Sequence, residues 1–169
     1  MDKKDYIELN ELLLHHEQKL RFEHFSNKDA WELGSFLVKK VYESEIELAI
    51  AIRKMNGNII FQHGTDKTNL NNQNWMNRKF NTVLLMERSS LGSWAFSFIS
   101  GEQVTTHGLS DRDYIFCGGG FPIRLKTGEI VAVITVSNLP HQRDHMFIAD
   151  TLKDWLNISG IKDILSFFP

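Results

Sequence analysis

Residues Cys117 to His145 read CGGGFPIRLKTGEIVAVITVSNLPHQRDH, and this stretch decides the fold. Two runs rich in β-branched and apolar residues, Phe121 to Leu125 and Ile130 to Val136, flank Thr127-Gly128. A glycine between such runs marks a tight turn, so the two strands form a hairpin and are antiparallel. Pro140 then opens a helix, since a first-turn residue has no need of its N–H. Gly118-Gly119-Gly120 leads into a strand and is followed by no Lys-Ser/Thr, so it is not a phosphate loop. It reads as a bend between adjacent strands, where missing side chains allow unusual backbone angles and let a ligand come close.

Working outward, Leu9, Leu12, Leu13 and Leu20 recur at helical spacing and place a first helix over 5–21. Ser26 and Asp29 form a capping-box start for a second helix with Ala30, Leu33, Leu37, Val38 and Val41 on one face. The period then changes to two: Ile46, Leu48, Ile50 and Ile52 alternate with Glu47, Ala49, Ala51 and Arg53. The alanine face implies a helix packed close against that strand. Asn56-Gly57 before Ile59-Ile60-Phe61 predicts a hairpin with a type I′ turn. The polar stretch 65–73 reads as a loop into a helix holding Trp75, Met76, Phe80 and Val83, interrupted at Ser89-Ser90 and Gly92. A short helix with Trp94, Phe96 and Phe98 follows, and 114–117 reads as a strand. The last helix runs from Pro140 to about residue 158. The result is an α+β fold, a five-stranded antiparallel sheet flanked by helices, as one domain over residues 1–169. The apolar tail 161–169 is expected to dock on its own subunit or on a neighbour.

The balance of 19 basic and 21 acidic residues, net charge -2, gives no general attraction for nucleic acid or anionic membrane. No unbroken apolar run reaches membrane-spanning length, and the charged start lacks a secretory core, so a cytoplasmic location is expected. Cys117 is the single cysteine, which excludes a disulfide within the chain and a thiolate zinc cluster. It reads as a small buried residue of a strand.

Besides the glycine run, two constellations carry chemistry. His141 and His145, four apart on a helix, put two imidazoles on one face and make a candidate metal pair, which His63 or His107 could complete. Gln142, Arg143 and Asp144 between them exclude the H-E-x-x-H protease arrangement. Ser89 and Ser90, with Arg88, Arg78 and Lys79 upstream, are donors suited to an anion, or else a helix kink. No G-x-S-x-G elbow is present.

Gly118-Gly119-Gly120-Phe121-Pro122-Ile123, then Gly128 to Val136-Ser137-Asn138-Leu139-Pro140, then Asp144-His145 resemble the G-G-x-F-P-I…G…V-S-G-L-P…D-H pattern of the GlcG/HbpS-like family. Its domain is often labelled haem-degrading, and the branch it resembles is of uncharacterised function. Asn138 stands where the pattern has glycine and His141 where it has glutamine. The resemblance implies a profilin-like α+β fold, assembly into dimers or larger rings, and haem or a related tetrapyrrole as a candidate ligand. Three functions are therefore expected to compete. The first is a cytoplasmic homo-oligomeric small-ligand-binding protein, with Gly118, Gly119, Gly120, Phe121, Ser89, Ser90, Asp144 and His145 around the ligand and His145 as an axial ligand. The second is a metal-dependent enzyme on His141 and His145. The third is a non-catalytic oligomeric interaction module.

Overall fold

The computed structural model describes residues 1–168. Its elements follow in the order α1 (Lys3–Lys19), β1 (Arg21–Phe22), α2 (Asn27–Glu43), β2 (Ala49–Lys54), β3 (Ile59–Gly64), α3 (Leu70–Met86), α4 (Ser90–Ser100), β4 (Gly120–Leu125), β5 (Ile130–Ser137) and α5 (His141–Trp155). The sheet has five strands in the order β1-β4-β5-β2-β3. The β2–β3, β2–β5 and β4–β5 pairs are antiparallel, and β1 pairs with β4 in parallel.

Three of the helices are capped as their sequences dictate. Asp2/Asp5, Ser26/Asp29 and Asn69/Asn72 each form a reciprocal capping box that satisfies orphan first-turn donors. Both hairpins close with a glycine at positive φ, Gly57 at 87° and Gly128 at 110°. Gly57 N donates to Lys54 O, and Asn56 is not at positive φ, so the first turn is not the expected type I′. It is the longer turn ending in a left-handed glycine, which Asn-Gly serves equally well.

One face of the sheet meets α2 and α5. Leu33, Leu37 and Val41 pack there with Ile50, Ile52, Ile134, Ile148 and Leu152, all fully buried. The other face meets α3, where Ala49 and Ala51 let Met76 approach, and Phe80 and Val83 cover Val133. Helices α1 and α4 form a second layer whose core is Leu9, Leu13, Leu91, Ala95 and Met146. Ile164 of the tail completes that core, so the tail docks on its own chain. Pro169 lies outside the described residues.

Two expectations are corrected. The fifth strand is not 114–117, and the sheet is mostly and not wholly antiparallel. Ile115 N donates to Thr82 Oγ1 while the same hydroxyl donates to Ile115 O, so a side chain of α3 replaces the ladder that a strand would need. The fifth strand is the two-residue β1, at the end of the stretch read as helix. The glycine run therefore bridges a loop to β4 and does not join two strands. Cys117 lies in that loop, partly buried, and outside any strand.

Candidate functional site

The C-terminal end of β5, the first turn of α5, the start of α3 and the Cys117 loop enclose a cleft of about 340 Å3. Asn72, Trp75 and Lys79 come from α3, Ser137 and Asn138 from β5 and its exit, and His141 and Asp144 from α5. Lys79 and Asp144 form an ion pair at 2.8 Å with each side chain 2% exposed. The Lys79 ammonium also donates to Val136 O at 2.8 Å, and Asp144 Oδ1 accepts from Leu139 N at 3.1 Å. Burial pushes the Asp144 carboxyl up to about 6, outweighing the opposing pull of Lys79 and of the Leu139 N–H.

Gly119 makes this pair possible. Its φ is +106°, and a Cβ there would sit 2.6 Å from Lys79 Nζ, 2.7 Å from Val136 O and 2.9 Å from Asp144 Cβ. Gly118 is equally tight, because its Cβ would fall 2.0 Å from the His141 carbonyl oxygen. The glycine run is thus a strap drawn flat across the start of α5 and the ion pair.

Asn138 takes φ 144°, a conformation that glycine adopts far more readily. Its side-chain amide holds the turn by donating to Glu47 O at 3.0 Å. This accounts for the glycine at the matching position of the family pattern.

The two histidines of α5 have different surroundings. His141 lines the cleft, edge-on to Trp94 at 4.9 Å and to Phe168 at 5.7 Å between ring centres. Gly118 N donates to its Nδ1 at 3.4 Å, which puts the proton of the neutral ring on Nε2. Burial, then the Lys79 charge, lower its pKa and favour that neutral form.

His145 is fully buried and contributes nothing to the cleft lining. Its Nε2 lies 3.2 Å from His16 Nδ1, and His16 Nε2 lies 2.9 Å from Lys162 O. The carbonyl only accepts, so His16 carries its proton on Nε2 and His145 donates from Nε2 to His16. His145 Nδ1 is left with a lone pair and no partner among the described residues. Burial, reinforced by His16 and His141, holds His145 well below its ordinary pKa.

The remaining expected residues lie outside the cleft lining. Ser90 Oγ accepts from Gly120 N at 2.8 Å. Ser89 caps α4 through Gly92 N, and its own N–H donates to the buried Glu17 carboxylate at 2.9 Å. Phe121 is in the core, 5.7 Å from the His145 ring. His63 sits beside Tyr42, and His107 beside Glu102 and Phe116. Among the described residues no group of three or more His, Cys, Asp or Glu side chains is arranged to hold a metal ion. Lys79, Asn72 and Trp75 were not singled out as site residues from sequence, apart from Lys79 as a flank of the serines. A signal existed: Lys79 falls on the buried stripe of α3 between Met76 and Val83, where an unpaired lysine would not be tolerated.

The sequence profile of the family described as "Haem degrading protein HbpS-like" matches residues 25–153. The chain belongs to this family. Among its relatives, a UPF0303 protein of Yersinia pseudotuberculosis serotype O:3 (strain YPIII) is 33% identical over 147 residues, 85% of this chain and 84% of the relative. A UPF0303 protein of Yersinia enterocolitica serotype O:8 is 33% identical over the same length, covering 85% of each. The crystal structure of Ybr137w protein superimposes with a TM-score of 0.80 at 26% identity, over 88% of this chain and 87% of that one. In fold alone the chain is also similar to HbpS, with a TM-score of 0.63 at 18% identity over 80% and 92%. The PduOC:Heme complex gives 0.64 at 15% identity over 82% and 99%. The profile match leaves out α1 and the tail, so the HbpS-like region holds the Lys79–Asp144 cleft and His145 but not His16 or Lys162. No described helix of this HbpS-like chain is long and apolar enough to cross a membrane.

Proposed function

We propose that the chain is a small-ligand-binding protein whose ligand occupies the cleft bounded by Asn72, Trp75, Lys79, His141 and Asp144. The observation that carries this reading is the buried Lys79–Asp144 pair on the wall of an open cleft, beside a neutral imidazole. Ion pairs buried for packing alone gain little over apolar residues, whereas convergent polar groups in a concavity orient a ligand.

Haem is the candidate cofactor, supported by the family's description and by the haem complex among the similar folds. The donor chemistry fits at His141. Its 3.4 Å bond from Gly118 N is weak, and this ring of the cleft lining would gain a free nitrogen for iron by giving it up. At His145 the fit fails in the closed fold, because its free lone pair is sealed from solvent. Bound in the cleft, haem would supply a redox-active iron, which His141 would hold. The chain's own part would be to orient the ring against Trp75 and to present the His141 nitrogen that Gly118 N releases.

The test is a haemin titration of the full chain followed at the Soret band. A saturable shift that His141→Ala abolishes and His145→Ala retains supports the reading; no saturable shift refutes haem as the ligand. Retention in His141→Ala moves the axial role elsewhere.

Self-association is a second reading, favoured by exposed Trp31 and Tyr42, 65% and 60% accessible, beside the open edge of β3. Sizing chromatography of wild type against Trp31→Glu tests it, with an unchanged elution volume counting against it. A cytoplasmic location belongs to the same proposal.

A further inference from the structure

We infer that the cleft recognises an oxyanion, carboxylate in type, through uncharged and shared donors and not through net positive charge. The inference rests on the ligand-binding reading and deepens it by naming the ligand's chemistry.

It follows from an inventory of hydrogen-bonding groups on the cleft wall. The side-chain acceptors contributed by four of its residues are engaged. Asp144 Oδ1 takes Leu139 N and Oδ2 takes Lys79. Asn72 Oδ1 takes Asn69 N at 2.9 Å, and Asn138 Oδ1 takes the Asn72 amide at 3.4 Å. His141 Nδ1 takes Gly118 N.

The donors are in surplus. An ammonium has three protons, and Lys79 spends two, on Val136 O and Asp144. Ser137 Oγ accepts from Asn72 at 3.3 Å and has no acceptor for its own proton among the described residues. His141 keeps its Nε2 proton. Helix α5 starts at Pro140 with no side-chain cap, which leaves the His141 and Gln142 N–H groups without partners among the described residues. At Asp144, Asn72, Asn138 and His141 the side-chain acceptors are occupied, while Lys79, Ser137, His141 and the first N–H groups of α5 keep protons to give, and the exposed Asn71 amide can serve either way; that balance pairs with an acceptor-only group. A carboxylate is such a group.

Charge sets the strength. Lys79 and Asp144 cancel, and His141 is held neutral, so the site offers dipoles and shared protons but no uncompensated cation. The oxyanion sits at the positive end of α5, which adds a favourable field without a formal charge. Affinity for a free anion is therefore modest, and the rest of the ligand supplies the remainder through Trp75.

The shared carboxylate chemistry has two sources, a free small acid or the propionate edge of a tetrapyrrole, in which case His141 serves the propionate in place of the iron, and the experiment separates them. The full chain is titrated with succinate, inorganic phosphate, haemin and haemin dimethyl ester, read by tryptophan fluorescence and by the Soret band. Succinate or haemin is expected to give a saturable change that Trp75→Phe removes from the fluorescence. His141→Phe keeps a ring between Trp94 and Phe168 but deletes the Nε2 donor, and is expected to weaken binding by about tenfold or more, the usual yield of a hydrogen bond to a charged group. Ser137→Ala reports on the same inference should His141→Phe fail to fold, with a loss of about threefold or more. Binding of succinate alone identifies a free acid; binding of haemin at least tenfold above its ester identifies the propionate. Equal binding of haemin and its ester overturns the oxyanion inference while the cleft reading stands. Haemin binding unchanged by Asn72→Trp, which fills the cleft, overturns the cleft reading itself. Silence from every probe overturns both.

Discussion

Gly119→Ala tests the reasoning about the site most directly, because three effects meet at one missing methyl group. The backbone there has φ +106°, and forcing an L side chain into it costs about 1–3 kcal/mol. The new Cβ would also lie 2.7 Å from Val136 O and 2.9 Å from Asp144 Cβ, atoms of a strand and a helix that cannot swing aside. Lys79 Nζ, 2.6 Å away, ends a flexible chain and would move first, which leaves Asp144 buried without its partner. Breaking a buried pair in this way costs about 3–5 kcal/mol. Partial relaxation makes these contributions overlap, so a loss of about 4–6 kcal/mol is expected, a large part of the ~5–15 kcal/mol that stabilises a typical domain. Gly128→Ala is the control: φ is +110° and nothing lies within 4 Å, so only the backbone cost of about 1–3 kcal/mol remains. Urea unfolding of wild type and both variants, compared at constant m-value, measures the difference. If Gly119→Ala loses no more than Gly128→Ala, the strap does not hold the ion pair, and the account of the cleft fails with it.

Other outcomes follow from the same geometry. Lys79→Met should destabilise by about 3–5 kcal/mol at pH 8, where Asp144 is charged, and by less at pH 5, where a carboxyl titrating near 6 is protonated; an equal loss at both values would contradict it. His16, His141 and His145 are each held below the ordinary value of 6.5, so the unfolded chain takes up protons that the fold refuses. Stability should fall on acidification from pH 6.5, by up to about 1.4 kcal/mol per unit for each ring. Asp144, raised from 3.8 to about 6, and the buried Glu17, also raised by burial, act in the opposite sense and offset part of this loss. Urea midpoints at pH 7.5, 6.5 and 5.5 check the sign, and a flat profile would refute it. Ser90→Ala should cost about 1–3 kcal/mol, because the buried Gly120 N–H loses its acceptor, and a neutral result in thermal unfolding would show that water replaces the hydroxyl.

Local signals were decisive wherever a segment satisfies itself. The capping box at Ser26 and Asp29, the two glycine hairpins, the alternation along β2 and the helix opening at Pro140 were all legible, because each depends on neighbours in the chain. The alanine face of β2 even announced the close approach of α3, which Met76 makes. What failed was pairing at a distance. Residues 114–117 have the composition of a strand, but Thr82, over thirty positions earlier, takes their backbone hydrogen bonds. Arg21 and Phe22 have no strand pattern of their own, and only β4 alongside makes them one.

The site divides along the same line. By itself the sequence determined the α+β class, the family, and the presence of Asp144 and two histidines one turn apart on α5, but it read the glycine run as a bend between two strands. Only the tertiary structure decided that Asp144 meets Lys79, that His141 opens to the cleft, and that His145 is sealed against His16. The physical reason is that an ion pair between positions 79 and 144, or a histidine relay from 145 through 16 to 162, has no periodicity to leave in a sequence. Such contacts exist because a sheet and its helices bring distant polar groups into one low-dielectric place, where burial leaves each of them needing a partner.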